Sequence, residues 1–262
     1  MTIDAKQKQA VPPKKASAFV NRAIQEGRNS LLEYEADQVA KEYGISVLRA
    51  GLATTEKRAV FIARRLGFPV AMKIASPDIP HKTDAGGVKL DINSNSKIIR
   101  AFGEITRNAR KVSPKADIRG VYIQRMAPKS QEFVVGGLRD PQFGPTVMFG
   151  LGGIFVELYK DVSFRLAPVS SEEALEMMKE TRAAALLTGF RGSKPLDMES
   201  AANVIQAVGK MMTELEVIES VDINPLLIYP NGCKAVDVRM MVSNARSKPH
   251  YRPRLGRTGR KK

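Results

Sequence analysis

Apolar residues recur at helical spacing in several separate stretches of this chain. From Ser30 to Tyr43, Leu32, Ala36, Val39, Ala40 and Tyr43 share one helical face, and Gly44 supplies the stop. Thr55 to Leu66 repeats the pattern with Ala59, Ile62, Ala63 and Leu66, ending at Gly67 with Pro69 just beyond. A third helix, capped by Ser96 and running to about Lys111, carries Ile98, Ile99, Phe102, Ile105 and Ala109 as its stripe. Ser170 and Glu173 have the spacing of a capping box, and a longer helix is expected from Asp197 to Leu215.

Between these lie short strand-like runs: Ile45–Leu48, Val70–Ile74, Val88–Ile92, Ile118–Met126, Phe133–Gly136, Thr146–Phe149, Ile154–Leu158, Val217–Tyr229 and Lys234–Met241. Helices and hairpin-like strands mix throughout, so the fold class is α/β or α+β and not a pure βαβ array. Pro128, Lys129 and Ser130 interrupt the strands, placing a linker between two lobes near Ala127–Gln131. The expected organisation is a basic, disordered extension over 1–28, a first lobe over 29–126, a second over 127–243, and a basic tail over 244–262.

Composition sharpens this in one respect. The net charge is +15. Residues 1–28 hold six Lys/Arg against two acids, and 244–262 hold eight and no acid, which leaves +3 for the body. The basicity therefore belongs to the two ends. A nucleic-acid-associated role through those ends is one alternative, but the body lacks interleaved aromatic and basic positions. No apolar run approaches the ~20 residues that span a bilayer. The start has no signal-peptide core, and the single cysteine, Cys233, fits a reducing cytoplasm.

Two stretches carry candidate chemistry. The loop KIASPDIPHKTDAGGVKL, from Lys73 to Leu90, is basic, glycine-bearing and flanked by strands, with His81 inside it. Glycines at Gly86 and Gly87 allow backbone N–H groups to approach an anion, so the loop is a candidate phosphate cradle. The second stretch is the closing hairpin around Asn231-Gly232. With a two-residue loop, 230 pairs with 233, Leu226 faces Asp237 and Asn224 faces Arg239. Asp222, Asn224 and Asp237 then project from one side, with Asn224 and Asp237 diagonal neighbours ~7–8 Å apart. Three oxygen-bearing side chains on one face suit Mg²⁺ shared with phosphates, against the alternative of a polar solvent face.

Three segments, AMKIASPDIPHKTDAGGVKL, EFVVGGLRDPQFGPTVMFGLGGIFVELYKDVSFRLAPV and VDINPLLIYPNGCKAVDVR, give residues 28–243 a family likeness. The chain resembles the ATP-grasp β subunit of ADP-forming acetate–CoA ligases, within the NDP-forming acyl-CoA synthetase superfamily. More distantly, it is similar to the nucleotide-binding subunit of succinyl-CoA synthetase. The resemblance implies an ATP-grasp fold whose two lobes clamp ATP or ADP with Mg²⁺. It also implies the reaction acyl-CoA + ADP + phosphate ⇌ acid + CoA + ATP. A separate α subunit, in an α2β2 assembly, would carry the CoA-binding and primary phosphohistidine domains.

By the same resemblance, Lys73 contacts nucleotide phosphates and His81 is the loop-borne phosphohistidine. Gln124, Arg125 and Met126 form the hinge whose backbone meets the adenine edge, and Glu132 is the acid that follows it. Asp222, Asn224 and Asp237 hold Mg²⁺. Gly150, Gly152 and Gly153 are weaker candidates for close backbone approach, and Arg165 for offsetting phosphate charge. Unlike succinyl-CoA synthetase, the Lys73 loop has a histidine and prolines where that family has a glycine–arginine run, which favours the acyl-CoA ligase branch. An ATP-grasp ligase acting on another acid is the remaining alternative.

Overall fold

The computed structural model describes residues 11–152, 161–190 and 192–243. The expected Ile154–Leu158 strand, Gly153 and both far ends lie outside the described residues. Two antiparallel sheets organise the chain. The smaller has four strands in the order β1-β4-β2-β3: β1 (Ala50–Ala53), β2 (Val70–Ala75), β3 (Val88–Ile92) and β4 (Gly120–Arg125). The helices α3 (Glu56–Leu66) and α4 (Asn95–Val112) cover one of its faces. Met72, Ile74, Val121 and Ile123 point toward them and pack with Ile62, Ile98 and Ile105. The opposite face carries Lys73, Tyr122 and Gln124, because side chains alternate along a strand. The α4 cap is Ser94, whose hydroxyl accepts from the Lys97 amide, two residues before the expected Ser96.

The larger sheet runs β10-β8-β5-β6-β7, with β9 also on β8. Its strands are β5 (Gln131–Asp140), β6 (Gly144–Leu151), β7 (Val162–Leu166), β8 (Ile218–Ile228), β9 (Cys233–Ala235) and β10 (Val238–Val242). Helices α5 (Ser171–Glu180), α6 (Ala184–Leu187) and α7 (Met198–Glu214) lie with it in one core. The Ser170–Glu173 capping box that opens α5 forms as expected. Phe133 and Phe149 stack at 5.6 Å between centroids, both fully buried.

The lobe boundaries need correction. Residues 14–25 form a helix, α1 (Lys14–Gln25), in place of a disordered extension. Ala16, Val20 and Ala23 recur at three- and four-residue spacing and are buried in the larger core. The next helix, α2 (Glu33–Glu42), buries Ala36, Val39 and Ala40 in that same core and so belongs to the larger lobe. The segment between them runs along the β10 edge, with Leu31 N donating to Met240 O at 3.0 Å and Val242 N to Asn29 O at 2.9 Å. Hydrophobic burial and edge pairing thus attach the N-terminal helices to strands about 200 residues away in sequence. The chain enters the small lobe after Val47, which bridges to Ala235, and returns through 126–130.

The Phe133–Phe149 pair sits where β5 and β6 meet the helical layer. Phe149→Ala should cost about 3–5 kcal/mol, as expected for a buried aromatic truncation. Denaturant unfolding of the purified protein measures this.

Candidate functional site

The two lobes meet over a buried ionic cluster. Lys73, on the uncovered face of β2, donates to Glu33 Oε1 at 2.5 Å and to Gln124 Oε1 at 3.2 Å. Lys82, in the loop after β2, donates to the other oxygen of the same carboxylate, Glu33 Oε2, at 2.5 Å. Gln124 turns its amide nitrogen to Val236 O of the larger lobe at 2.9 Å. One helical turn beyond Glu33, Asp37 accepts from the Tyr122 hydroxyl at 2.6 Å. Glu33 and Asp37 share a face of α2 because they are four residues apart.

Electrostatics set the protonation states here. Burial alone would raise the Glu33 carboxyl and lower the Lys73 amine. The Lys73 and Lys82 ammoniums reverse the first effect, and Glu33, Asp237 and Asp37 reverse the second. The outcome is an ion pair: Glu33 is held below its ordinary range and Lys73 above it. That Asp237 acts on Lys73 places the larger lobe's hairpin within electrostatic reach of this lysine. Asp37 differs. Burial, reinforced by the Glu33 charge, pushes it up to about 7, with the Tyr122 bond only partly offsetting this, and its Oδ1 has no hydrogen-bond partner.

The hairpin register differs from the sequence expectation by two residues. Tyr229 N donates to Gly232 O at 3.0 Å, so Pro230 and Asn231 form the tip. Leu226 faces Ala235, and Ile223 faces Val238. Asn224 is therefore directly opposite Asp237, and its amide donates to the Asp237 carbonyl at 3.1 Å. A shift of two preserves the side-chain faces. Val221 and Ile223 point into the helix-side core, so Asp222 and Asn224 point away from it, on the uncovered face. Burial raises Asp222, Asp237 adds to that rise, and Arg239 opposes it. Arg239 also donates to Asp237 at 3.2 Å. Among the described residues no three His, Cys, Asp or Glu side chains cluster. The set reaches three oxygen donors only through the Asn224 side-chain amide, a hard donor set of the kind that suits Mg²⁺.

His81 is exposed near the apex of the loop, whose feet are the buried Ile79 and Ala85. Gly86 adopts φ +61°, which favours glycine, and a Cβ on Gly87 would stand 2.6 Å from Ile74. Their amides donate inside the loop, to Thr83 O and Lys82 O at 2.9 and 2.7 Å. In this structure the two glycines close a tight turn, and Lys73 and Lys82 are engaged by Glu33.

At the hinge, the Arg125 and Met126 amides are committed to Arg49 O and Pro69 O. These residues line a cleft of about 920 Å³ with Leu48, Ala127 and Lys129. Gln124, their neighbour in the strand, links the wall of that cleft to Lys73. Glu132 is exposed at the start of β5, on the uncovered face opposite buried Phe133.

Arg165 is not part of this arrangement. It pairs in register with buried Val147 and binds Glu180 of α5, so it lies on the helix side of the edge strand β7. Gly150 and Gly152 serve packing: a Cβ would approach Asp161 O and the Phe133 backbone, each at 2.6 Å. Glu33 and Asp37 were missed because they look like ordinary charges of an amphipathic helix. Their signal, a helix flank that stays acidic beside the apolar stripe, acquires meaning only from the strand packed against it.

Two antiparallel sheets clamping a lysine against an oxygen-rich strand pair define the class. An ATP-grasp domain family matches residues 22–242. The β subunit of acetate–CoA ligase [ADP-forming] I from Pyrococcus furiosus is 49% identical over 228 residues, covering 87% of this chain and 98% of that subunit. A 4-hydroxybutyrate–CoA ligase [ADP-forming] from Nitrosopumilus maritimus is 41% identical over 86% of this chain, which spans only 33% of that longer protein.

Among solved structures, acetyl-coenzyme A synthetase 1 of Ca. Korarchaeum cryptofilum, in complex with coenzyme A and Ca-AMPCP, superposes with a TM-score of 0.83. It is 46% identical, over 87% of this chain and all of that one. A second structure of that enzyme holds Mg-AMPPCP, with a phosphohistidine segment pointing towards the nucleotide binding site. The chain belongs to the ATP-grasp family, in the branch formed by the β subunits of ADP-forming acetate–CoA ligases.

Because Asp37 has a folded value near 7 against an ordinary 3.8, the folded state holds its proton more tightly than the unfolded chain. Wild-type stability should therefore fall as pH rises from about 4 to about 7. Asp37→Asn should gain on wild type over that window, by at most about 4 kcal/mol, and level off above it. Thermal unfolding of both proteins across pH 4–8 reads the difference.

Proposed function

We propose that this chain is the nucleotide-binding β subunit of an ADP-forming acetate(acyl)–CoA ligase. It works with a separate α subunit that supplies the CoA-binding and acyl-transfer parts. The observation that carries this is the approach of Lys73, through Gln124 and its contact with Val236 O, to the strand pair that bears Asp222, Asn224 and Asp237, in a chain matching a β subunit over 98% of that subunit's length. The net reaction is acyl-CoA + ADP + phosphate ⇌ acid + CoA + ATP.

The nucleoside lies along the hinge cleft and its phosphates reach Lys73, which exchanges part of its contact with Glu33 for phosphate oxygens. Asp222, Asn224 and Asp237 would hold Mg²⁺, whose charge would offset that of the phosphates. In the ATP-consuming direction, a ring nitrogen of His81 takes the γ-phosphoryl. An N–P bond forms as the bridging P–O bond breaks, the electron pair leaves on ADP, and the other ring nitrogen releases its proton. Lys73 preorganises the accepting geometry, because its buried charge is fixed before the phosphates arrive. The exposed loop then carries the group toward the partner.

The chain purified alone should bind ADP or ATP with Mg²⁺ yet form no acyl-CoA. Full turnover without a partner would overturn the split arrangement. In the reconstituted complex, His81→Asn should abolish turnover while leaving nucleotide affinity nearly intact. Asp237→Ala should weaken Mg–ATP binding about tenfold or more by calorimetry, and an unchanged affinity would remove the hairpin as the metal site.

A further inference from the structure

Glu33 carries two ammonium groups on one carboxylate, and these come from functionally different places. Lys73 sits on a strand of the smaller lobe. Lys82 follows His81 directly in the loop after β2. Both are 2.5 Å away, and the Glu33 side chain is only 5% exposed. Building on the function proposed above, we propose that Glu33 is a positioning residue for phosphoryl transfer. Through Lys82 it docks the His81 loop beside the lysine that receives the nucleotide phosphates.

Three features support this. Glu33 is rigidly placed, since it opens α2, whose Ala36, Val39 and Ala40 are fully buried in the larger core. The loop is pinned at its ends within its own lobe: Asp78 accepts from the Asp117 amide at 2.6 Å, and Gly86 O accepts from Asn108 at 3.1 Å. Lys82 instead reaches from the loop's apex to the other lobe, so this contact sets where His81 stands relative to the hairpin.

The third feature is electrostatic. A buried carboxylate left without a cation is strongly disfavoured. Phosphates that draw on Lys73 leave Glu33 relying on Lys82, so arrival of the nucleotide tightens the tie that holds His81 in range. A flexible lysine stem on a fixed carboxylate also lets go and re-forms without disturbing α2.

The test uses the chain co-purified with its α subunit, Mg²⁺ and γ-labelled ATP, with rapid alkaline quenching to preserve phosphohistidine. Lys82→Gln, a change at a partly exposed site, should slow labelling of His81 about tenfold or more. Its Mg–ATP affinity by calorimetry should stay within about threefold of wild type, which separates positioning from binding. Glu33→Gln loses the Lys73 contact as well, so it should slow labelling at least as much as Lys82→Gln. Because the Lys82–Glu33 contact is shared, the loss in the double variant should be smaller than the product of the two single losses. Lys82→Arg should retain most of the rate.

Wild-type labelling in Lys82→Gln, or losses that multiply in the double variant, would overturn the inference. Absence of label at His81 in the wild type would instead overturn the functional reading on which it rests.

Discussion

The contact on which the rest depends is the ion pair between Lys73 and Glu33, formed across two lobes with separate cores. A lysine on a half-covered sheet face needs a compensating charge once the lobes close over it. Helix α2 of the larger lobe supplies that charge, and Asp237 adds a second source within electrostatic reach. Closure therefore places a fixed positive charge opposite an oxygen-rich hairpin. Nothing in either lobe alone makes that arrangement. The smaller sheet brings the lysine and hinge, the larger brings the carboxylates, and the segments at 44–49 and 126–130 hold them in register.

The same pattern extends along the junction. Lys73, Tyr122 and Gln124 lie on the smaller sheet's uncovered face, and each has a partner in the larger lobe: Glu33, Asp37 and Val236 O. Three polar contacts in adjacent strand positions make the lobe junction polar rather than greasy. A junction of that kind opens for a charged ligand more readily than one built from interdigitated apolar side chains.

Much of the fold was legible because its elements obey local rules. The stripes on α2, α3, α4 and α7, the Ser170 capping box and the strands flanking the Lys73 loop all follow from spacing and end signals. The oxygen-bearing face of the hairpin survived an error in the turn, because a two-residue slip keeps each side chain on its side of the sheet. What failed was non-local. Residues 14–25 look like a basic, polar extension, and only the larger lobe's core reveals why Ala16, Val20 and Ala23 form a helix there. Arg165 sits in a promising segment, yet strand alternation turns it to the helix side, where Glu180 holds it. Gly86 and Gly87 were assigned to an anion for the freedom of their backbone, and that freedom is used to close the loop on itself. Glu33 went unnoticed because its partners are 40 and 49 residues away.

The central claim is that the closed junction around Lys73 is where nucleotide phosphates bind. A crystal structure of the chain with Mg²⁺ and a non-hydrolysable ATP analogue tests it most directly. The account predicts terminal phosphate oxygens within ion-pair distance of Lys73, and a cation between those oxygens and the side chains of Asn224 and Asp237. A nucleotide bound elsewhere, with Lys73 engaged only by Glu33 and Gln124, would contradict it.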